Sequence, residues 1–451
     1  MKGTEYRTKE AILARGLEIK GIPLREIDTT GRLSTGKGAI GTLIEEKWYG
    51  YLPNNEAEPD FPEAGVELKT TPYLRSTKGI RAKERLVCNM INYIEEYNRT
   101  LWTSAFWHKC NTMLLMSYEH RAGQEKGSFT IDEVVLFSFP EEDLPIIERD
   151  WKIIMEKVRT GRAHEISEGD TMYLAACTKG ADSSSVRAQP FSPIMAKSRA
   201  YSLKASYMTR ILSTYIFGDV VSTKIIKDPQ ILRQKSFEEY IERTVSVYYG
   251  RTQEELQNQL GISGNAKNIN NRLLAKMLGI SGQIADAEEF RKANIIPKTI
   301  RVQKNGSIKE NMSFPTFDFI KLSQEEEWEK SEFYDYLAPT KFMFVIFCER
   351  ADGKYAFQRI QFWNMPPEDL DEVGRVWKKT VDTIRDGIEL IPTSRGIKNN
   401  LPKQTESRVA HVRPHGRDSS DTLPLPDGRY MTKQCFWLNN SYIAEQIRIG
   451  S

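Results

Sequence analysis

The sequence predicts an α/β protein built as two tandem copies of one fold, with catalytic chemistry in the first copy alone. Three observations carry this expectation. At 451 residues the chain exceeds one ordinary core, because domains usually hold about 100–200 residues. Through the first half, segments of helical period alternate with short apolar runs of strand character. The chain also repeats itself: displaced by 229 residues, Gly21 falls on Gly250, Lys47 on Lys276, Gly50 on Gly279, Phe61 on Phe290, Ala64 on Ala293 and Lys69-Thr70 on Lys298-Thr299, without a gap.

Residues 8–20 read as an amphipathic helix stopped by Gly21. A second helix runs from Ala39 to Tyr49, carries Glu45 and Glu46, and stops at Gly50. The stretch Pro59-Asp60-Phe61-Pro62-Glu63-Ala64-Gly65-Val66-Glu67-Leu68-Lys69-Thr70 comes next. Val66 to Lys69 has the character of a short buried strand. Period-two alternation sets Glu67 and Lys69 on one face, and Asp60 enters from the turn before. A basic connection, Arg75 to Arg85, leads to strands at Leu86–Ile91, Thr112–Tyr118 and Glu133–Phe139. Pro140-Glu141-Glu142-Asp143-Leu144 opens a helix through Arg159, with acids in its first turn and Gly161 as its stop. From Tyr173 to Gly218 the expectation is a polar, basic loop and a final helix.

The repeat resumes after a three-residue adjustment. Pro140 to Leu144 and Arg149-Asp150-Trp151-Lys152 match Pro366 to Leu370 and Arg375-Val376-Trp377-Lys378, while Arg159 and Gly161 fall on Arg385 and Gly387. Asp182-Ser183-Ser184 recurs as Asp418-Ser419-Ser420, and Ser206-Tyr207 as Ser441-Tyr442. Matched glycines and tryptophans in one order exceed what two unrelated helical segments share by chance. The expected division is a catalytic domain over 1–220, a linker over 221–235 and a second domain over 236–451.

Two carboxylates and an amine gathered at one point can hold a hard divalent cation and keep an ammonium beside the water it polarises. That is the working part of a phosphodiesterase. An Asp, six residues, then Glu-x-Lys arises by chance on the order of 0.1 times in a chain of this size, so the surrounding turn and strand give the motif its weight. The copies differ at these positions. Asp60 falls on Glu289, Glu67 on Ile296 and Glu45 on Leu274, and only Lys69 keeps its type, in Lys298. The second copy therefore reads as the fold without the activity, kept for binding or regulation.

Other motifs are set aside. Gly31 to Gly38 imitates a phosphate loop but has glycine where the magnesium hydroxyl belongs. His164-Glu165 lacks a second histidine, and His108 with Cys110 is only a pair, so zinc is not expected. Trp102, Trp107 and Trp151 read as packing residues. The net charge of +3 is too mild to imply nucleic acid, so that argument must rest on where the charges sit. Thr178 to Arg210 carries Lys179, Arg187, Lys197, Arg199, Lys204 and Arg210 against one acid, Asp182. This is the mixture that follows a phosphate backbone, although a solvated basic face has the same composition. Arg395 to Arg417 is also basic, with Lys398, Lys403, Arg408 and Arg413. Five scattered cysteines form no disulfide or zinc pattern and suit a reducing cytoplasm. The longest apolar run, Phe342 to Cys348, is too short for a bilayer.

Four stretches resemble the MutH-type nucleases, and most closely the Sau-type restriction endonucleases that cut at GATC, within the PD-(D/E)xK superfamily. They are Lys37-Gly38-Ala39-Ile40-Gly41-Thr42-Leu43-Ile44-Glu45, Asp60 to Thr70, His108-Lys109, and Tyr173 to Ala181. The resemblance implies a nuclease core around a mixed sheet flanked by helices. In it Asp60, Glu67 and Lys69 are catalytic, Asp60 and Glu67 ligate Mg2+, Glu45 is a further acidic site residue, Lys109 is a second lysine and Lys179 contacts DNA. Cys177 and Ser202 depart from the arginine and tyrosine of MutH, so its base-reading set does not carry over. The implied activity is Mg-dependent type II cleavage of double-stranded DNA at GATC, before the G, leaving 5′-phosphates and four-base 5′ overhangs. The second domain is implied to bind another copy of the site as an allosteric effector, and one intact site per chain implies a transient homodimer on DNA. The alternatives are a MutH-like GATC nickase in mismatch repair, or a non-catalytic DNA-binding regulator.

Overall fold

The computed structural model describes residues 6–34, 36, 38–51, 58–77, 79–180, 184–218, 223–264, 268–394 and 396–449. Lys37, Ala181, Asp182, Ser183 and Arg395, and the first residues of the expected linker, lie outside them. The chain divides into two compact units, Met1–Phe237 with Gln283–Ile295, and Glu238–Gly282 with Ile296–Ser451. Residues 283–295, expected in the second domain, thus pack with the first.

The first unit contains strands β1 (Glu67–Ser76), β2 (Gly79–Ala82), β3 (Leu86–Met90), β4 (Thr112–Glu119), β5 (Glu133–Ser138), β6 (Leu174–Thr178), β7 (Val186–Gln189), β8 (Ser192–Lys197) and β9 (Arg199–Leu203). The main sheet has the order β2-β1-β4-β5. It is mixed: β1 runs parallel to β4, with Glu67 opposite Met113 and Lys69 opposite Leu115, while β2 and β5 are antiparallel to their neighbours. A parallel pair needs a crossover, and this one returns through the Ala105–Cys110 helix, which ends just before β4. Met113, Leu114, Leu115 and Met116 are all fully buried, as a central strand covered on both faces requires. The core over this sheet gathers Ile12, Ile40, Leu43, Tyr49, Phe61, Leu68, Leu114 and Val134. A three-stranded antiparallel sheet, β3-β9-β6, and the β7–β8 hairpin complete the unit. The Leu144–Arg159 helix buries Ile147, Trp151, Ile154, Met155 and Val158 at spacings of three and four, one apolar stripe.

Two stretches differ from the sequence expectation. The basic connection after Arg75 is a hairpin, because β1 continues to Ser76 and turns into β2. The stretch from Tyr173 is largely sheet. β6 reads Leu-Ala-Ala-Cys-Thr and is buried on both faces, so it shows no alternation, and β9 hides Arg199 inside.

The second unit holds β10 (Ile295–Val302), β11 (Met312–Thr316), β12 (Lys341–Glu349), β13 (Tyr355–Trp363), β14 (Leu390–Thr393), β15 (Gly396–Asn399), β16 (Ala410–Pro414), β17 (Thr422–Pro424), β18 (Tyr430–Thr432) and β19 (Gln434–Leu438). Its sheets run β10-β12-β13 and β11-β19-β16, with two hairpins. The Pro367–Asp386 helix buries Trp377 as the Leu144–Arg159 helix buries Trp151. Tyr207 donates to Asp143 Oδ2 at 2.9 Å, and Tyr442 to Asp369 Oδ2 at 2.8 Å. Arg159 caps the carbonyls of Tyr97 and Arg99, and Arg385 those of Ser323 and Glu325. Among the described residues no helix is long and apolar enough to cross a membrane.

Candidate active site

The site begins as a tight loop. Phe61 and Val66 exchange backbone hydrogen bonds of 2.9 and 3.2 Å, and the chain between them closes through Gly65 at φ 61°, a left-handed conformation that glycine adopts without penalty. Closure brings Asp60 back beside the start of β1. The Asp60 N–H donates to Glu67 Oε2 at 3.1 Å, and the Leu68 N–H donates to Asp60 Oδ2 at 2.9 Å. Phe61 and Val66 lie in the core on either side of the bridge, so apolar burial holds two carboxylates together despite their like charge.

Lys69, two residues on, shares the Glu67 face as alternation expects, and its Nζ lies 2.6 Å from Glu67 Oε1. Lys109, from the last turn of the Ala105–Cys110 helix, reaches the same oxygen at 3.7 Å. The parallel register of β1 and β4 makes this meeting possible, since both strands start at this edge of the sheet. Glu45 arrives from the other side, on a widened π-turn over Ile44–Tyr49. Such turns insert one residue into a helix and re-aim side chains, frequently at functional sites.

Glu67 is 2% exposed. Its carboxyl is pushed up to about 7 by burial, with Lys69 pulling it down and Asp60 raising it. Glu45 is likewise raised to about 7 by burial and then by the charge of Asp60; Lys69, Glu67 and Lys109 also act on it. All five expected residues therefore meet at one place. For Lys69, burial favours loss of the proton, but the charge of Glu67 outweighs it and the ammonium is held above its usual range.

Sequence reading did not single out Tyr51. It stands just past the Gly50 stop, and its N–H bonds the Glu45 carbonyl at 3.1 Å. Its hydroxyl is buried with no hydrogen-bond partner among the described residues. A tyrosine outside any spacing pattern gives no signal until the π-turn is seen.

Among the described residues no group of three or more His, Cys, Asp or Glu side chains is arranged to hold a metal. Magnesium does not need such a cage. It is held through one or two carboxylates, with waters and substrate phosphate oxygens completing an octahedron. Asp60 and Glu67 supply that donor set at one point, so the residues fit a hard divalent ion. His108 instead pairs with Glu58 at 2.7 Å near the surface.

The expected DNA-contacting residues separate into two groups. Lys179 and Arg187 are exposed, the latter with Nε 3.2 Å from Ser198 Oγ. Arg199 and Lys204 are 4% and 2% exposed and donate to the carbonyls of Ala176 and Thr171 at 2.7 and 2.5 Å. Their expected contact with DNA is corrected by burial: their charges close the β3-β9-β6 region from within. In the second unit, Lys298 donates to the Ser313 carbonyl at 3.2 Å, and burial lowers its pKa. Leu274 is buried. Glu289, which packs with the first unit, accepts the N–H groups of Ile225 and Ile226 at 2.8–3.1 Å.

Comparison with known proteins agrees with this geometry. The model of the family described as DNA mismatch repair enzyme MutH matches residues 49–150, which span Asp60, Glu67, Lys69 and Lys109. MutH proteins of Shewanella woodyi and Escherichia coli are 29% and 26% identical, each aligned to 46% of this chain and to 92% and 93% of their own. The type II restriction enzyme Sau3AI of Staphylococcus aureus is 38% identical over 98% of this chain and 99% of its own. Likeness along both chains' full length, joined to a MutH match over the carboxylate and lysine cluster, means that this chain belongs to the MutH-related family of the type II restriction enzyme Sau3AI.

Proposed function

We propose that the chain is a type II restriction endonuclease that hydrolyses both strands of duplex DNA at GATC, before the G, with Mg2+. The observation that carries this is the meeting of Asp60, Glu67, Lys69 and Lys109 on the edge of a mixed sheet, in a chain whose restriction-enzyme relative matches it end to end. The MutH relatives account for only 46% of the chain, which favours restriction over strand-selective nicking. An intact carboxylate pair argues against a regulator without catalysis.

Asp60 and Glu67 hold the divalent ion, which when bound neutralises phosphate charge and acidifies water. Lys69, kept protonated by Glu67, serves as a fixed charge beside the phosphorus and not as a base. Lys109 adds a second cation and Glu45 a further carboxylate. Water attacks in line, the P–O3′ bond breaks, and a 5′-phosphate and a 3′-hydroxyl remain. Lys179 and Arg187 contact the DNA backbone.

The second unit is read as a copy of the fold that binds a second GATC site as effector. This rests on its matching sheet orders, the paired Tyr207–Asp143 and Tyr442–Asp369 bonds, and Ile296 and Leu274 in place of two carboxylates. With one complete site per chain, cutting two strands calls for a transient homodimer on DNA or two sequential nicks. We place the enzyme in the cytoplasm, where its DNA substrate lies.

The test is to digest plasmid of known sequence with Mg2+ and sequence the ends. Double-strand breaks at GATC by wild type, absent with Asp60→Ala, are expected; nicks confined to one strand of hemimethylated sites would favour the MutH reading. Equal rates on one-site and two-site plasmids would overturn the effector role.

A further inference from the structure

A buried hydroxyl beside carboxylates should be hydrogen-bonded, since each is a strong acceptor and an unmet buried polar group is costly. Tyr51 does not follow the rule. Its hydroxyl is buried and has no partner among the described residues, although the charges it feels most are those of Asp60, Glu45 and Glu67. The side chain is not loosely placed. Its backbone N–H is tied to the Glu45 carbonyl at 3.1 Å, and its ring meets Phe61 edge-on at 5.3 Å between centroids. Glu45 and the neighbour of Asp60 thus grip it from two sides.

The π-turn explains how it gets there. Ile44–Tyr49 is wound one residue wide and Gly50 follows at φ 78°, so the chain reverses and returns Tyr51 toward Glu45. A phenol keeps its proton at neutral pH, so one held this way is a donor. What answers it must be an acceptor that enters between the carboxylates and the lysines. Water on a cation is a poor candidate, because its lone pair is engaged by the metal and its own hydrogens seek acceptors. A non-bridging oxygen of a phosphodiester suits the geometry and the charge.

We propose that Tyr51 is a catalytic residue whose hydroxyl donates a hydrogen bond to a non-bridging oxygen of the scissile phosphate, stabilising the charge that builds there as water adds to phosphorus. The orphaned donor is then a group prepared for the transition state, which needs no reorganisation when charge develops. The assignment rests on the nuclease reading of the Asp60 site and deepens it.

The experiment compares full-length wild type and Tyr51→Phe in single-turnover cleavage of a GATC duplex, duplex affinity with Ca2+, and thermal unfolding. Tyr51→Phe is expected to cleave about 10- to 100-fold more slowly, with affinity within about twofold and a melting midpoint equal or higher, since an unpaired hydroxyl has been removed. A phosphorothioate at the scissile position adds a second readout: with the diastereomer whose sulfur replaces the accepting oxygen, the loss from Tyr51→Phe should shrink. Wild-type cleavage rates in Tyr51→Phe would overturn the proposal and leave the nuclease reading standing. A slowed variant with a lowered melting midpoint would overturn it in favour of a structural role. Failure of wild type itself to cut would overturn both.

Discussion

The backbone N–H of Asp60 donates to Glu67 Oε2 while the Asp60 carboxylate accepts from the N–H of Leu68. Each acidic residue is thereby fixed by the backbone around the other. Asp60→Ala removes one proposed ligand but leaves the Phe61–Val66 bridge intact. Cleavage should fall by at least about 10³-fold, with stability changed by less than about 1 kcal/mol, because lost hydrogen bonding is offset by relief of like-charge repulsion. Plasmid linearisation and urea unfolding read the two effects separately.

Glu45 and Glu67 both sit at about 7 in the metal-free site. Over the interval from about 4.5 to about 7 the unfolded chain has lost these protons while the folded chain retains them. The two groups therefore make the metal-free protein less stable as pH rises through that window and contribute no further change above it. A divalent ion favours the ionised forms, so its binding releases protons, and its affinity should climb with pH to about 7 and then level. Calorimetric titration in buffers of different ionisation enthalpy checks this; a flat affinity between pH 6 and 8 would contradict it.

Lys179 and Arg199 should behave oppositely. Lys179→Ala is expected to weaken duplex binding and reduce the salt slope by about 0.9 per lost phosphate contact, with no change in stability. Arg199→Ala removes a buried charged donor from Ala176 O and should cost about 1.5–3 kcal/mol of stability. Binding isotherms at several salt concentrations and thermal melts distinguish the two.

Lys292 is 3% exposed and lies 2.7 Å from Asp143 Oδ1 and 3.0 Å from Glu288 Oε1. Lys292→Ala leaves Asp143 buried without this cation and Glu288 with Arg210 at 3.4 Å, and should destabilise the first unit by about 3–5 kcal/mol. Urea midpoints test this, and a loss below about 1 kcal/mol would show that water reaches the pair.

The gathering of Asp60, Glu67 and Lys69 was legible because its parts obey local rules. Alternation sets Lys69 beside Glu67, and the turn before the strand brings in Asp60. Strands β3, β4 and β5 and the Leu144–Arg159 helix were legible through apolar period. Burial was the obscure part. Arg199 and Lys204 read as surface because charge is usually solvated, whereas inside the fold each donates to a carbonyl and Lys204 also feels the buried Asp150 carboxylate. β6, covered on both faces, offers no alternation to detect. The π-turn that delivers Tyr51 depends on one extra residue in a helix, which composition does not reveal. The destination of residues 283–295 is set by tertiary ion pairs with no local mark.

That last segment bears on how the protein can be divided. The chain passes between units after Phe237, after Gly282 and after Ile295, so no single cut separates one from the other. A gene fragment ending near residue 237 would encode every acid and lysine of the proposed cleavage site yet omit Lys292, leaving Asp143 buried without its cation. Splitting this enzyme into portable halves requires carrying a thirteen-residue piece, Gln283–Ile295, back to the first.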